Sequence, residues 1–400
     1  MQCAKQSRAL AARGHRVTIL TRWLAEGRPR WETVDGVRIG RLGSYLPMMA
    51  ARRRLVRAWR PAKTTSPAAP AVSRSEAAGP AGAGSRSRWR DLSVWLANTS
   101  FVLEVLFFLQ FKRLTPDVLH VHGASWPAGF AQWLGERFGF PVWCKETNLP
   151  PLFDTCPVQE KVGGKARWLR RVPRCRFLAI TEAMAESLKE AGVPPERIAV
   201  IPNGVEIPSV AADAVAHTDA IYVGNLTKGS AYKGFDTLFR AWGLAMKAES
   251  GLRLRLYGAG DPGPWRDLAA REGCGDSVVF EGRTEDVDAA LRSGGFFLLP
   301  SRREGLSNAL LEAMAHGLPS VVSDIPGNRA AIRDGLDGFV VPAEDPEAFA
   351  RAILRLYRSP ALRDQLGRSA RARAESVFAM PVVAAQLEDA FQRAFEEHTP

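Results

Sequence analysis

Short apolar runs alternate with longer amphipathic stretches along almost the whole chain, and this alternation most limits the folds open to it. The runs at 16–20, 117–122, 142–145, 176–180 and 198–201 are rich in branched residues and too brief for helices. Those at 220–223, 253–257, 277–280, 296–299 and 320–323 repeat the pattern in the second half. Between them, stretches such as 126–138 and 182–191 have helical spacing, the latter closed by Gly192. Strand and helix in strict turn predict an α/β chain with parallel sheets. A length of 400 residues suits two such domains. The Pro-, Ala- and Ser-bearing stretch at 203–218 reads as the linker between them. The predicted division is therefore 1–206, 207–380 and a closing helix at 381–400.

Composition narrows the classes further. Hydrophobic residues are 46% and charged residues 24%, which excludes a wholly disordered or a fibrous chain. Residues 60–90 are the exception: Pro, Ala, Ser and Gly dominate there, and a flexible insertion is expected. Five scattered cysteines without a Cys-x-x-Cys pair give neither a disulfide framework nor a zinc knuckle, and a reducing cytoplasm is expected. The net charge of +12 is local, because residues 1–120 carry 21 Lys/Arg against 7 Asp/Glu. No aromatic-interleaved basic motif accompanies it, so nucleic acid is not expected as a partner. Residues 92–111 are apolar with basic flanks. A core helix, an interfacial helix on anionic lipid and a membrane span are all open for them. No signal peptide is read at the start, where no apolar core follows the charges.

The opening of the chain departs from the usual plan of such a domain. A dinucleotide-type half begins with an apolar strand and a glycine-rich turn. Here Ala4, Leu10 and Ala11 already mark a helix that Gly14 closes. The expectation is that codons upstream of Met1 encode the absent strand and turn.

The segment with most chemistry runs from Glu304 to Pro319. Two glutamates, Glu304 and Glu312, stand eight positions apart across a strand-to-helix turn. Ser307 or Asn308 can cap the helix, and Gly317 can end it. Free amide groups at such a helix start favour an anion, and the carboxylates can accept from sugar hydroxyls.

The stretch EGLSNALLEAMAHGLPSVVSDIPG (304–327) resembles the Glu-x7-Glu region of retaining GT-B glycosyltransferases of family 4. Further similar segments are RGHRVTILT (13–21), PDVLHVHG (116–123) and AITEAMAESLKEAGVPPERIAVIPNGVE (179–206). YVGNLTKGSAYKGFDTLFRAW (222–242), LYGAGD (256–261), VVFEGRTEDV (278–287) and DGLDGFVVPAEDPEAFARAI (334–353) are similar as well. The resemblance implies two Rossmann-like domains facing a cleft, and sugar transfer from a nucleoside diphosphate sugar to an acceptor hydroxyl with retention. No further cofactor and no metal are implied, since no Asp-x-Asp is read as a metal motif.

Residue roles follow from the same resemblance. Glu304 is implied to contact the donor sugar, Glu312 the ribose, and the amides of Gly305, Leu306 and Ser307 the sugar and phosphate. Lys233 is implied to hold the diphosphate, where an ammonium offsets developing charge. Asn225 stands where the family usually has an arginine, with Lys228 as the expected substitute. Gly282 and Arg283 are the expected seat of the base. On the acceptor side, Thr147 replaces a family histidine, so Lys145 or Glu146 is expected to supply polar contacts. His120 and His122 are read as pointing to opposite faces of their strand, with His122 lining the cleft. The closing helix is implied to return to the first domain. A lipid-linked or carbohydrate acceptor at the inner membrane face, in polysaccharide or glycolipid assembly, is the implied setting. An inactive or truncated nucleotide-sugar-binding protein of the same fold is the alternative.

Overall fold

The computed structural model describes residues 2–23, 29, 31–44, 101–111, 114–122, 126–146, 175–227 and 232–398. The insertion at 60–90, Lys228, Thr147 and Cys156 lie outside the described residues. By contact the chain forms two compact units, Leu10–Pro116 and a larger one made of Met1–Ala9 with Asp117–Pro400.

The smaller unit holds strands β1 (Thr18–Trp23), β2 (Trp31–Val34) and β3 (Val37–Ser44), in the order β1-β3-β2. β1 runs parallel to β3, and β2 and β3 form an antiparallel hairpin. Its turn is Asp35-Gly36, both at positive φ (49° and 75°), as a tight two-residue hairpin demands. Residues 101–110 are helical. Val105 and Leu109 face inward, Phe108 meets Trp31 edge-on at 5.3 Å, and Leu103, Phe107 and Phe111 are exposed. Among the described residues, no helix is long and apolar enough to cross a membrane.

The larger unit contains two parallel sheets. The first joins β4 (Leu119–His122), β5 (Val142–Glu146), β6 (Arg176–Ala179) and β7 (Ile198–Val200) in sequential order. The last helix, Met380–His398, sets Phe391 against His120 and Trp143 of this sheet.

The second sheet holds β8 (Ala220–Val223), β9 (Leu254–Tyr257), β10 (Val278–Gly282), β11 (Phe296–Leu299), β12 (Ser320–Ser323) and β13 (Gly338–Val341). Its order is β10-β9-β8-β11-β12-β13, all parallel. Every residue of β11 and β12 is buried, which explains why these strands read as unbroken apolar or small runs rather than as alternation. The strand order reverses between β8 and β11, and a doubly wound sheet leaves a crevice at the carboxyl ends of the strands there.

Two chain segments pass between the sheets side by side. Val205 and Ala379 form a parallel bridge, with Val205 N–H donating to Phe378 O (2.8 Å) and Met380 N–H to Val205 O (2.9 Å). Beyond it, the chain at 212–217 is tied to the second sheet's helices. The fully buried Arg363 donates to Ala214 O (2.6 Å), Leu356 O (2.7 Å), Tyr357 O (2.9 Å) and Val215 O (3.2 Å). No other side chain could satisfy four carbonyls at once. Arg363→Ala is expected to lower unfolding stability by about 3 kcal/mol or more, since several buried acceptors lose their donors together. Urea denaturation checks this, and a change below about 1 kcal/mol would contradict it.

Candidate active site at the strand-order reversal

The loops leaving β8 and β11 carry the site. After β11 the chain runs Pro300, Ser301, Arg302, Arg303, Glu304 and into the helix Asn308–Ala315. Ser307 caps that helix, its hydroxyl accepting from Leu310 N–H at 3.4 Å. Eight residues are too few for an independent helix. Burial of Leu310, Leu311 and Met314, at about 2 kcal/mol each, outweighs the roughly 1 kcal/mol of the cap and fixes its place. Among the described residues, no acceptor takes the amide hydrogens of Gly305, Leu306 or Ser307. They form a row of donors beside the Glu304 carboxylate, as a helix start leaves them.

After β8 the chain returns at Lys233 and Gly234 to the helix Phe235–Met246. Gly234 has φ +72°, and a Cβ there would lie 2.1 Å from Pro300 O. Glycine thus lets the lysine-bearing turn rest against the end of β11. Arg302 N–H donates to Tyr232 O (2.7 Å), and its guanidinium grips both Asp236 oxygens (2.9 and 2.6 Å). Held in this way, Lys233 Nζ reaches Glu304 Oε1 at 2.5 Å, and Ser301 Oγ donates to the same oxygen at 3.0 Å. Both side chains of the ion pair are 15% exposed, so they are shielded yet open on one side. The helix Pro326–Ala331 backs the loop through Gly327, where a Cβ would come within 2.4 Å of Gly305 O.

An anion and a cation beside a row of unmatched amides suit a ligand with hydroxyls and a diphosphate. Residues 2–204 match the pattern of the glycosyl transferase 4-like domain, and residues 217–359 that of glycosyl transferases group 1. The chain belongs to glycosyltransferase family 4.

As a family 4 transferase it uses a nucleotide sugar. It is 27% identical over 314 residues to the D-inositol 3-phosphate glycosyltransferase of Streptomyces scabiei, covering 70% of this chain and 69% of that one. The protein of the same description from Streptosporangium roseum is 29% identical over 317 residues, 71% of each. In structure it is similar to sucrose-phosphate synthase from Thermosynechococcus elongatus, with TM-score 0.70, 20% identity, and coverage of 99% of this chain and 93% of that one. HepE from Anabaena in complex with UDP has TM-score 0.61 at 17% identity, covering 74% and 84%. These likenesses show the GT-B fold.

The remaining donor-side residues of the transferase sit where their strands end. Asn225 follows β8 and is exposed. Gly282, at φ +75°, closes β10 and accepts from Gly258 N–H at 2.8 Å, and Arg283 beyond it is exposed. Glu312 faces the first helix, Gln2–Ala12, where Lys5 Nζ meets its Oε1 at 2.9 Å. An Asp-x-Asp spacing does occur at Asp286-Val287-Asp288. Asp286 is a helix cap, accepting from Ala289 N–H at 2.8 Å, and Asp288 lies 3.4 Å from His316 Nε2.

The ends of β4 and β5 need one correction. His120 and His122 do not point to opposite faces: their rings are 4.3 Å apart. Residues two apart on a strand share a face, so the pair was bound to meet. Burial, with Lys145 next to it, lowers the His122 pKa to about 3, so its ring is neutral at ordinary pH. His120 is driven down likewise by burial, then by His122 and Lys145. Lys145, in register with His122, is 1% exposed, and its Nζ donates to Gln6 Oε1 at 3.4 Å. Burial lowers its pKa to about 8. Glu146 is fully buried at the end of β5. The structure thus brings His122 and Lys145 together in register, with Glu146 next along β5 on the opposite face, and Lys233, Glu304 and the three amides in another place.

Several residues here have no signature in sequence. Ser301, Gln2 and Lys5 belong to no motif, and their partners are distant along the chain. Asn203 lies in the family-like IPNGVE segment. Its side chain donates to Leu306 O (3.3 Å) and Asn308 Oδ1 (3.1 Å), tying the end of β7 to the donor loop.

Two outcomes follow from this geometry. Gly234→Ala should displace Lys233 and lower kcat/KM at least tenfold, and a variant with the wild-type value would contradict the placement. The second concerns pH. Lys145 burial costs stability below pH 8, and that cost is recovered as pH rises toward 10.5. Lys145→Met should therefore be more stable than wild type by roughly 3 kcal/mol at neutral pH, with the gap closing above pH 8. For His122 the cost is absent above pH 6.5 and grows as pH falls toward 3, so His122→Asn should flatten that acid limb. Denaturation across pH 3–10 reads both.

Proposed function

We propose that the protein is a retaining, metal-independent hexosyltransferase that moves a sugar from a nucleoside diphosphate sugar to an acceptor hydroxyl. The observation that carries this reading is the Lys233–Glu304 pair beside the unmatched amides of Gly305, Leu306 and Ser307. In the reaction, the bond from the anomeric carbon to the diphosphate oxygen breaks, and one to the acceptor oxygen forms as that hydroxyl passes its proton to the departing diphosphate. Charge develops on the diphosphate, where Lys233 and the amides can meet it without reorganising. Glu304 would accept from the sugar and Glu312 from the ribose. Asn225 and Lys228 would add to the diphosphate side, and the Gly282–Arg283 backbone would seat the base. On the acceptor side, neutral His122 and the buried Lys145 and Glu146 would make the polar contacts. The functional division follows 1–206, 207–380 and 381–400, with donor binding in the middle part.

Polysaccharide or glycolipid assembly is the setting that the reading favours. The basic first third and the exposed Leu103, Phe107 and Phe111 suit a lipid-linked acceptor at an anionic membrane face. UDP is bound in HepE, and α-GlcNAc-glycerol with UDP in TarM of S. aureus, so UDP-sugars head the donor panel.

The test is a panel of UDP-, GDP- and ADP-sugars, with binding and slow donor hydrolysis both measured. One nucleotide series should bind and turn over. Glu304→Gln and Lys233→Ala should each lower turnover by about a hundredfold or more with unchanged melting. Near-normal turnover in both variants would overturn the site. Binding without any turnover in the wild type would favour a nucleotide-sugar-binding protein.

A further inference from the structure

The first helix is stitched to the helix that carries Glu312. Gln2 Nε2 donates to Gly204 O and to Asn308 Oδ1, both at 2.8 Å, and Lys5 Nζ pairs with Glu312 Oε1 at 2.9 Å. Gln2 and Lys5 are one turn apart on one helix, and Asn308 and Glu312 are one turn apart on the other. The two rungs fix the register between the helices, and Asn203 locks the upper rung by donating to Asn308 Oδ1 as well. Lys5 and Glu312 side chains are only 22% and 17% exposed, so the pair is better shielded than an ordinary surface salt bridge.

The same device holds the other glutamate. Glu304 Oε1 takes Lys233 and Ser301, and Glu312 Oε1 takes Lys5. In both, no donor among the described residues reaches Oε2. An ionised carboxylate can accept at both oxygens, so each has one oxygen held and one uncommitted. A glutamate side chain loses much rotamer freedom when it is fixed, and a partner that fixes it beforehand removes that cost from ligand binding.

We propose that Lys5 is a positioning residue for the donor: by holding Glu312 through one oxygen it aims the other at the paired hydroxyls of the donor ribose. This rests on the reading of Glu312 as the ribose acceptor. Lys5 itself touches the carboxylate and not the nucleotide. Its removal should therefore weaken recognition of the diol and leave the base and diphosphate contacts as they were.

The experiment measures Kd by calorimetry for UDP, GDP and ADP, each against its 2′,3′-dideoxy counterpart, on the full chain. Wild type should prefer the ribonucleotide. Lys5→Met should weaken the ribonucleotide about tenfold and the dideoxy form hardly at all. Lys5→Arg should restore most of the preference. In turnover assays the loss should fall on donor KM rather than on kcat. If Glu312→Gln abolishes the preference while Lys5→Met keeps it, the role of Lys5 is overturned and the ribose reading stands. If Lys5→Met weakens both forms alike, Lys5 merely holds the helix, and the proposal fails. Should Glu312→Gln keep the preference, or none of the nucleotides bind, the donor reading itself fails.

Discussion

The reversal of strand order between β8 and β11 is the constraint on which the rest depends. Each parallel strand sends its loop out at the same end of the sheet, so adjacent strands of opposite winding leave a gap there. Loops from the two sides of this gap carry a lysine and a glutamate that no local sequence signal connects. They meet because the turn before the helix Phe235–Met246 lies against the last residues of β11. Neither charge is deeply buried. A fully desolvated pair would cost more than it returns, whereas a half-shielded pair keeps its attraction and still admits a ligand.

The two sheets of the larger unit solve the burial of charge in opposite ways. At the second sheet Lys233 pairs with Glu304, Lys5 with Glu312 and Arg302 with Asp236. At the first sheet the titratable groups are crowded among themselves: two imidazoles share a face of β4, and Lys145 lies in register with one of them. Burial pushes each basic group toward its neutral form. The end of the second sheet therefore offers paired charges, and the end of the first offers neutral imidazoles beside a buried lysine. The proposed transfer, which takes a sugar from an anionic diphosphate to a neutral hydroxyl, would use both.

Sequence reading reached the parts of this arrangement that are local. The extents of β8, β11 and β12 coincide with the runs seen in sequence, because strands buried on both faces stand out as continuous apolar or small segments. Of the two caps open at the next helix, Ser307 and Asn308, the structure uses Ser307, which accepts from Leu310 N–H. The β2–β3 hairpin was overlooked although Asp35-Gly36 is a strong turn signal, since its strands carry charged residues on an exposed face. Strand order could not be read at all, because nothing in a parallel strand names its neighbour. Lys5 was invisible, as its partner lies 307 residues away and Lys5 itself belongs to no motif.

The bridge between Val205 and Ala379 has a mechanical consequence. The chain crosses from the first sheet to the second there and crosses back, and the two crossings are laced by hydrogen bonds. Just past the outward crossing, the buried guanidinium of Arg363 clamps residues 214 and 215 to the second sheet's helices, so slack cannot accumulate along the connection. Two strands of a rope bound side by side bend freely about their common line and resist being twisted apart. Any turning of one sheet against the other would therefore pass through this single line.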